Sequence, residues 1–306
     1  GGITMAISRN QLVKELEPGL NALFGLEYKS YEQQWSEVYT TESSDRAFEE
    51  EVMLSGFAQA KVKSEGSGVA FDNAQETFTA RYTNETIALA FAITEEAIED
   101  NLYDRLASRY TKALARSMAS TKNVKGASPL NNGQPGGSFT SGDGVTLFNT
   151  AHPTVAGTFS NTLATASDLN ETSLEQALID INAFTDERGL KIAAKGVKMI
   201  IPSALQFVAE RLMKSQGRTS TADNDINAVR SMGMIPQGYR VNNYLTDADA
   251  FFILTDVPNG MKHFNRAPLT TKMEGDFDTG NVRYKARERY VFGVSDPRGI
   301  FSSPGA

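Results

Sequence analysis

The sequence predicts an α+β fold, and three observations carry that prediction. Segments near 94–123 and 172–189 have the apolar spacing and capping residues of helices. Other segments alternate apolar with polar residues, or run apolar for about five to seven residues between turn residues, as strands do. The two kinds of segment are mixed without a repeated βαβ period or any internal repeat, which excludes a doubly wound or barrel α/β chain. A length of 306 residues matches about two domains and is ample for a large core.

Residues 1–37 read as an arm. Leu12, Leu16, Leu20, Leu23 and Phe24 repeat at helical spacing, with Pro18-Gly19 expected to interrupt the helix. Tyr28, Tyr31, Trp35 and Tyr39 then recur every three or four residues. This stripe needs a surface to dock on, either the rest of the chain or a neighbouring molecule, and the sequence leaves both open.

Residues 38–93 read as extended. The patch Glu42, Asp45, Glu49, Glu50 and Glu51, relieved by Arg46, is expected to be a solvated face. Ser64 to Gly68 forms a turn between Lys61-Val62-Lys63 and Val69-Ala70-Phe71. Phe78, Ala80 and Tyr82 alternate with polar residues, and Ile87 to Ile93 follows as a strand apolar on both sides. A long hairpin of this kind buries little by itself.

A rod helix is expected over 94–123. Thr94 caps it, acids fill its first turns, and Lys112, Arg116, Lys122 and Lys125 complement the dipole at its far end. Ile98, Leu102, Leu106, Tyr110, Ala113 and Leu114 form its apolar stripe. The Gly, Ser, Asn and Thr-rich stretch 126–170 is expected to be a long loop that is functional, mobile or fastened to something else.

Thr172-Ser173-Leu174-Glu175 is a capping box opening a helix with Leu174, Ala177, Leu178, Ile181 and Phe184 inward, stopped by Gly189. Val197 to Pro202 is a buried strand, and Ser203 caps a helix carrying Leu205, Val208, Ala209 and Leu212. Strands follow at 241–245, 251–255, 281–286 and 290–294.

Composition excludes several function classes. Cysteine is absent, which removes disulfides, thiolate nucleophiles and sulfur-ligated zinc. Thirty Lys and Arg against 37 Asp and Glu give a net charge of −7, so the chain as a whole does not attract phosphate backbones, although local basic contacts stay open. No apolar run of about 20 residues spans a membrane. The start, Gly1-Gly2-Ile3-Thr4, shows no secretion signal.

No motif makes an active site. Gly142-Asp143-Gly144 lacks the third glycine of a dinucleotide loop, and Gly66-Ser67-Gly68 is not a nucleophile elbow. Asp223-Asn224-Asp225, Asp247-Ala248-Asp249 and Asp276-Phe277-Asp278 lack the full pattern of a calcium loop and read as turns. His152 and His263 are the only histidines. His152 could serve as a general base, but a hydrogen-bonded structural role is the better reading, because no nucleophile or orienting carboxylate neighbours it in sequence. His263 reads the same way. No catalytic, cofactor-binding or metal-binding residue is therefore assigned, and no cofactor is expected.

Four stretches, in this order and spacing, carry a resemblance. They are Phe91 to Glu96 entering the rod helix, Leu147 to Pro153, Val197 to Ser203 with its following helix, and Tyr290 to Arg298. Together with the arm, hairpin and rod, the chain resembles a major capsid protein of tailed bacteriophages, nearest the Mu-like head subunits. The resemblance implies a Hong Kong 97-type fold. Residues 1–37 would be the N-terminal arm and 38–93 the extended E-loop. The P-domain would cover 94–195, with its spine helix over 94–123, and the A-domain 196–265. Strands in 266–306 would return to the P-domain.

The function implied is a non-enzymatic subunit that self-assembles as pentamers and hexamers into an icosahedral shell around double-stranded DNA. Scaffolding, portal and decoration proteins are implied partners, assembly is implied in the host cytoplasm, and residence in the virion. Some members crosslink Lys to Asn under a catalytic Glu, but no motif around Lys61 or Lys63 carries that chemistry over. The alternatives are another phage structural component, such as a decoration or tail protein, and a hydrolase using His152.

Overall fold

The computed structural model describes residues 9–99, 103–218, 225–276 and 278–306. Helix α1 (Arg9–Ser30) opens the described chain and runs straight through Pro18. Proline there removes one backbone bond, but Leu20 and Phe24 are buried on the body of the molecule, and that packing holds the helix together. Asn21 reinforces it, its Oδ1 accepting from Thr271 Oγ1 at 2.7 Å and Tyr284 OH at 2.9 Å. The expected interruption at Pro18-Gly19 is therefore absent. The side chain of Leu12 lies outside the described set.

Strands β1 (Thr40–Ser43), β2 (Phe48–Leu54), β3 (Glu76–Thr83) and β4 (Glu85–Ile93) follow. The hairpin is β2 paired with β3, from Phe48 opposite Thr83 to Leu54 opposite Glu76. The apolar run 87–93 is not part of it. β4 pairs instead with a later strand in the central sheet, so the hairpin ends ten residues earlier than expected.

Short α2 (Glu95–Glu99) and long α3 (Tyr103–Asn132) form the rod. Thr94 Oγ1 accepts from Ala97 N at 3.4 Å, as an N-cap should. The rod runs nine residues past the expected end, through Pro129, because Ala127 and Leu130 are fully buried there and packing outweighs the weak helix preference of the Gly-Ala-Ser-Pro stretch. Its buried face also differs. Ala107, Thr111, Leu114, Ala115 and Met118 face inward, while Tyr110 is exposed. Small residues on that face let α1 and the sheet approach closely. Leu102 lies outside the described residues.

The long loop carries a small ribbon, β5 (His152–Thr154) with β6 (Gly157–Phe159). Helix α4 (Glu171–Asn182) is capped by Asn170, two residues before the expected cap, with Ser173 completing the reciprocal bonds. The helix ends at Asn182 rather than Gly189, which occupies a left-handed turn at φ +82°. β7 (Gly196–Ile201) leads through a short 3-10 turn, with no side-chain cap from Ser203, into α5 (Gln206–Lys214). Then come α6 (Ala228–Met232), β8 (Tyr239–Val241), β9 (Phe251–Thr255), β10 (Met261–Gly275), β11 (Val282–Val294) and β12 (Ile300–Ser303).

Two four-stranded sheets organise the body. The first has the order β1-β10-β11-β4, the second β12-β9-β7-β8. β10 and β11 are one long antiparallel ribbon, from Met261 opposite Val294 to Gly275 opposite Val282. The two strands expected at 281–286 and 290–294 are thus one, because Glu288 points inward while Arg287 and Arg289 keep the outward alternation. Pro268 and Arg266 sit at register shifts of β10, where a missing or unpaired backbone donor is tolerated. α1 and α3 pack on the inner face of this sheet around Met118, Tyr284 and Ala286. α4 and α5 pack on the second sheet around Leu174, Ile181, Met199 and Phe251. β12 joins this second sheet, so the last strand does not return to the rod's sheet as expected. Among the described residues no helix is long and apolar enough to cross a membrane.

Candidate functional site

The hairpin is the most exposed apolar feature among the described residues. Beyond the β2–β3 pairing, residues 55–75 form no strand, and Val62 and Phe71 are 98% and 97% exposed. Phe57 and Val69 are exposed as well. The turn at Ser64–Gly68 exists as expected, with Ser67 N donating to Ser64 O at 3.1 Å and Gly66 at positive φ. Arg188 tethers the base of the tip, its Nη2 donating to Asn73 O at 2.7 Å beside Asp72 at 3.6 Å.

The hairpin root is fastened by charge. Lys262 on β10, almost fully buried, pairs with Glu42 of β1 at 3.1 Å and with Glu51 of β2. Burial pushes the Lys262 ammonium down, and the hydrogen bonds it donates to Glu51 and Glu42 outweigh it, so the group stays charged. Ser295 Oγ donates to Glu51 and accepts from Tyr82 OH. Tyr82 lies over Gly293, where any Cβ would collide with its ring. The acidic patch is therefore not simply a solvated face: Glu42 and Glu51 turn inward, Glu49 accepts from Ser44 at 2.8 Å, and Glu50 faces Arg81 at 3.8 Å. The sequence hid this because Lys262 is 211 residues from Glu51.

The aromatic stripe of the arm docks on its own chain. Trp35 and Tyr39 are buried against Phe292, with ring centroids 5.5 and 4.8 Å away. Gly126 of α3 sits under Trp35, where a Cβ would meet the Trp35 side chain at 2.5 Å. Lys122, expected to decorate the rod's end, is instead buried, 3.1 Å from Glu288 and below the rings of Trp35 and Tyr290.

His263 lies in the same cluster, 4.4 Å from Trp35 ring to ring, with Nδ1 3.2 Å from Thr41 Oγ1 and Nε2 buried without a partner. Burial, aided by Lys122, drives its pKa from 6.5 to about 3. Between those values the folded chain binds fewer protons than the unfolded one, so stability falls as pH falls. Relative to His263→Phe, the wild-type protein is expected to lose about 1.4 kcal/mol per pH unit below 6.5. Denaturant unfolding of both proteins across that range checks it, and parallel pH curves would refute it.

His152 is fully buried. Nδ1 lies 2.5 Å from Asp143 Oδ2, and Nε2 lies 3.0 Å from Asn161 Oδ1. Asn161 donates from Nδ2 to Leu147 O and Pro297 O, which orients its amide so that Oδ1 faces the imidazole. Burial pushes the Asp143 carboxyl up, but hydrogen bonds from His152 and Ser141 more than reverse this and hold it low. An orienting carboxylate thus exists nine residues upstream, in the Gly142-Asp143-Gly144 turn, where sequence reasoning did not pair it. With both nitrogens occupied and no exposure, the ring has no opening toward a substrate.

Phe159 stacks on His152, and Arg298 lies over Phe159 while pairing with Glu187 at 2.9 Å and Asp296 at 3.3 Å. The long loop is thereby fastened to the chain's own C-terminal segment. The Asp247 and Asp276 pairs close local turns, Asp249 N donating to Asp247 and Thr279 Oγ1 to Asp276. Asp223 and Phe277 lie outside the described residues. No metal-ligating cluster exists among the described residues.

A family described as phage capsid protein matches residues 76–303. The chain belongs to the phage capsid protein family. The capsid protein's α+β architecture is shared by solved shells: the capsid of an empty GTA particle is 13% identical with a TM-score of 0.59, covering 90% of each chain. A virus-like particle from Pyrococcus furiosus is 11% identical with a TM-score of 0.54, covering 94% of this chain and 98% of that one. The capsid of Myoviridae phage XM1 is 12% identical with a TM-score of 0.55, covering 88% and 89%. No curated protein sequence matches. The capsid protein is a structural subunit with the Hong Kong 97-type fold expected from the sequence.

Proposed function

We propose that this chain is the major head subunit of a tailed bacteriophage, assembling as pentamers and hexamers into an icosahedral shell around double-stranded DNA. The observation that carries this reading is the hairpin, whose apolar tip is uncovered by its own chain while its root is anchored by the buried Lys262 network. An anchored element with an uncovered apolar end suits repeated contact between identical subunits. In this reading 9–37 is the N-terminal arm and 48–83 the E-loop. The rod and the β10–β11 ribbon are the P-domain, and the second sheet with α4 and α5 is the A-domain. Assembly takes place in the host cytoplasm, with a separate scaffolding protein, a portal, and decoration proteins as further partners.

Sedimentation velocity with negative-stain microscopy tests it. Megadalton shells are expected, or rings of five or six chains, five or six times 33.3 kDa being about 170 to 200 kDa. A chain that stays monomeric when crowded and when supplied with its scaffold would overturn the proposal.

A further inference from the structure

The hairpin has a joint between its anchored root and its tip. The β2–β3 ladder ends at Leu54 opposite Glu76, just after a register shift. Past it, Ser55 N donates to Gln75 O at 2.8 Å and Gln75 N to Ser55 Oγ at 2.9 Å. Gly56 follows at φ +65°, where glycine meets no steric cost. The two legs are tied together once more at Asp72, whose carboxylate accepts from Ala58 N at 2.7 Å and Asn73 N at 2.9 Å. A cavity of about 370 Å³ lies between this joint and the body, with Met53, Leu54 and Gly56 on the hairpin side. The body side sets Ile192 and Val257 among Asp186, Asp256, Asp296 and the Glu187–Arg298 ion pair, so it is no apolar seat on which the hairpin could close.

Arg188 bridges body and joint. Its Nη2 donates to Asn73 O at 2.7 Å and its guanidinium lies 3.6 Å from Asp72, at the point where the legs are tied. Among the described residues this is the only hydrogen-bonded or ion-paired link from residues 56–75 to the body. The side chain is 17% exposed, with Nε enclosed and lacking an acceptor. An arginine kept only for solubility would leave that end in water. The turn that carries it is stiff. Asp186 Oδ1 accepts from Arg188 N at 2.9 Å and Leu190 N at 2.8 Å, Asp186 N donates to Leu190 O, and Arg298 Nε donates to Thr185 O at 2.7 Å.

We propose that Arg188 is a latch, which fixes the direction of the hairpin tip in the free chain and so pre-orients Val62 and Phe71 for a second copy of this chain; it rests on the shell reading above. Both side chains stay almost fully exposed while the latch is closed, so closing it hides no part of the contact surface. A loop fixed beforehand spares association the cost of ordering it. Gripping the tie at Asp72 and Asn73 holds both legs through one side chain.

The test is a distance measurement by pulsed electron paramagnetic resonance on the full chain. Cysteine is absent from the sequence, so Ser64→Cys and Lys195→Cys alone take the two nitroxide labels. One narrow distance is expected with Arg188 in place, and a broad distribution in Arg188→Ala. Arg188→Met keeps the apolar stem and loses every donor, so it is expected to broaden the distance equally, and it decides the matter if alanine loosens the turn itself. Arg188→Lys is expected to fall between. Without labels, Arg188→Met is expected to need about 2- to 10-fold more protein than wild type before particles sediment. Equal distance distributions with and without Arg188 would overturn the latch. A particle onset that stays the same or falls while the distribution broadens would overturn pre-orientation, a fall meaning that the latch restrains the tip. Wild-type chains that never form particles sink the shell reading instead, and the distances then decide the latch alone.

Discussion

Replacing Lys122 by alanine is expected to destabilise the folded subunit by about 3–5 kcal/mol, the range for removing one partner of a buried ion pair. The side chain of Glu288 is 2% exposed and that of Lys122 10%. Burial already holds the Glu288 carboxyl above its ordinary value, with Lys122 pulling it back. Without the ammonium, Glu288 would be an uncompensated buried charge. The contrast is Lys125 with Glu85, four-tenths exposed or more on average, where surface pairs contribute about 0–1 kcal/mol.

Two further results separate loss of charge pairing from loss of packing. The double variant Lys122→Met, Glu288→Leu is expected to recover most of the stability, since apolar residues of similar size often replace a buried pair without loss. The Lys122→Ala penalty is also expected to shrink as pH falls toward 4.5 and below. The sign follows from the raised carboxyl: the folded state binds more protons there than the unfolded state, so acid stabilises it relative to the unfolded chain. Urea unfolding at several pH values measures both. A penalty under about 1 kcal/mol, unchanged by pH, would mean that water reaches Glu288.

Lys122 also marks where sequence reasoning stops. A lysine in the last turns of a helix has an ordinary use at the dipole's negative end, and nothing local distinguishes a buried one. Its partner lies 166 residues away on β11. A still longer separation, 211 residues, hid Glu51 and Lys262, and the distance to Lys122 hid β11 itself, because a strand carrying Arg287-Glu288-Arg289 is legible only once Glu288 has a buried cation to face. α3 was legible as a long helix, but its inward face was not. The larger residues Leu106 and Tyr110 suggest one stripe, whereas close packing against α1 selects the small residues one position on, Ala107 and Thr111.

What was legible rests on local chemistry. The strand Val197 to Ile201 and the inward face of α4 need no distant partner to be read, and both fall where expected. His152 is an intermediate case. Its burial was readable in kind, but its carboxylate lay in a Gly-Asp-Gly turn that resembles fragments of other motifs. The hairpin was legible in position and wrong in composition. An apolar strand next to it, Ile87 to Ile93, has the same local signature whether it completes a hairpin or an interior sheet, and only the pairing with β11 decides.

The double variant Val62→Asp, Phe71→Asp is expected to leave the subunit's stability within about 0.5 kcal/mol of wild type and to stop shell formation. Both side chains are almost fully exposed in the subunit, so folding gains nothing from them. In a shell their burial against a neighbour would contribute about 1.5–3 kcal/mol each, and the aspartates would add desolvation against it. Losing about 3–6 kcal/mol weakens each contact roughly 10²- to 10⁴-fold, and a closed shell repeats that contact at every subunit. Urea unfolding measures the first outcome, and the sedimenting particle fraction the second. Shells formed at normal yield would show that the tip is not a contact, and the apolar character of Phe57, Val62, Val69 and Phe71 would then need another partner. Unfolding of the variant subunit would instead mean that the tip folds back on its own chain, through more than the Arg188 tether. Retained stability with lost assembly is the pattern that only an intersubunit role produces, because no intramolecular contact of these side chains exists to be lost.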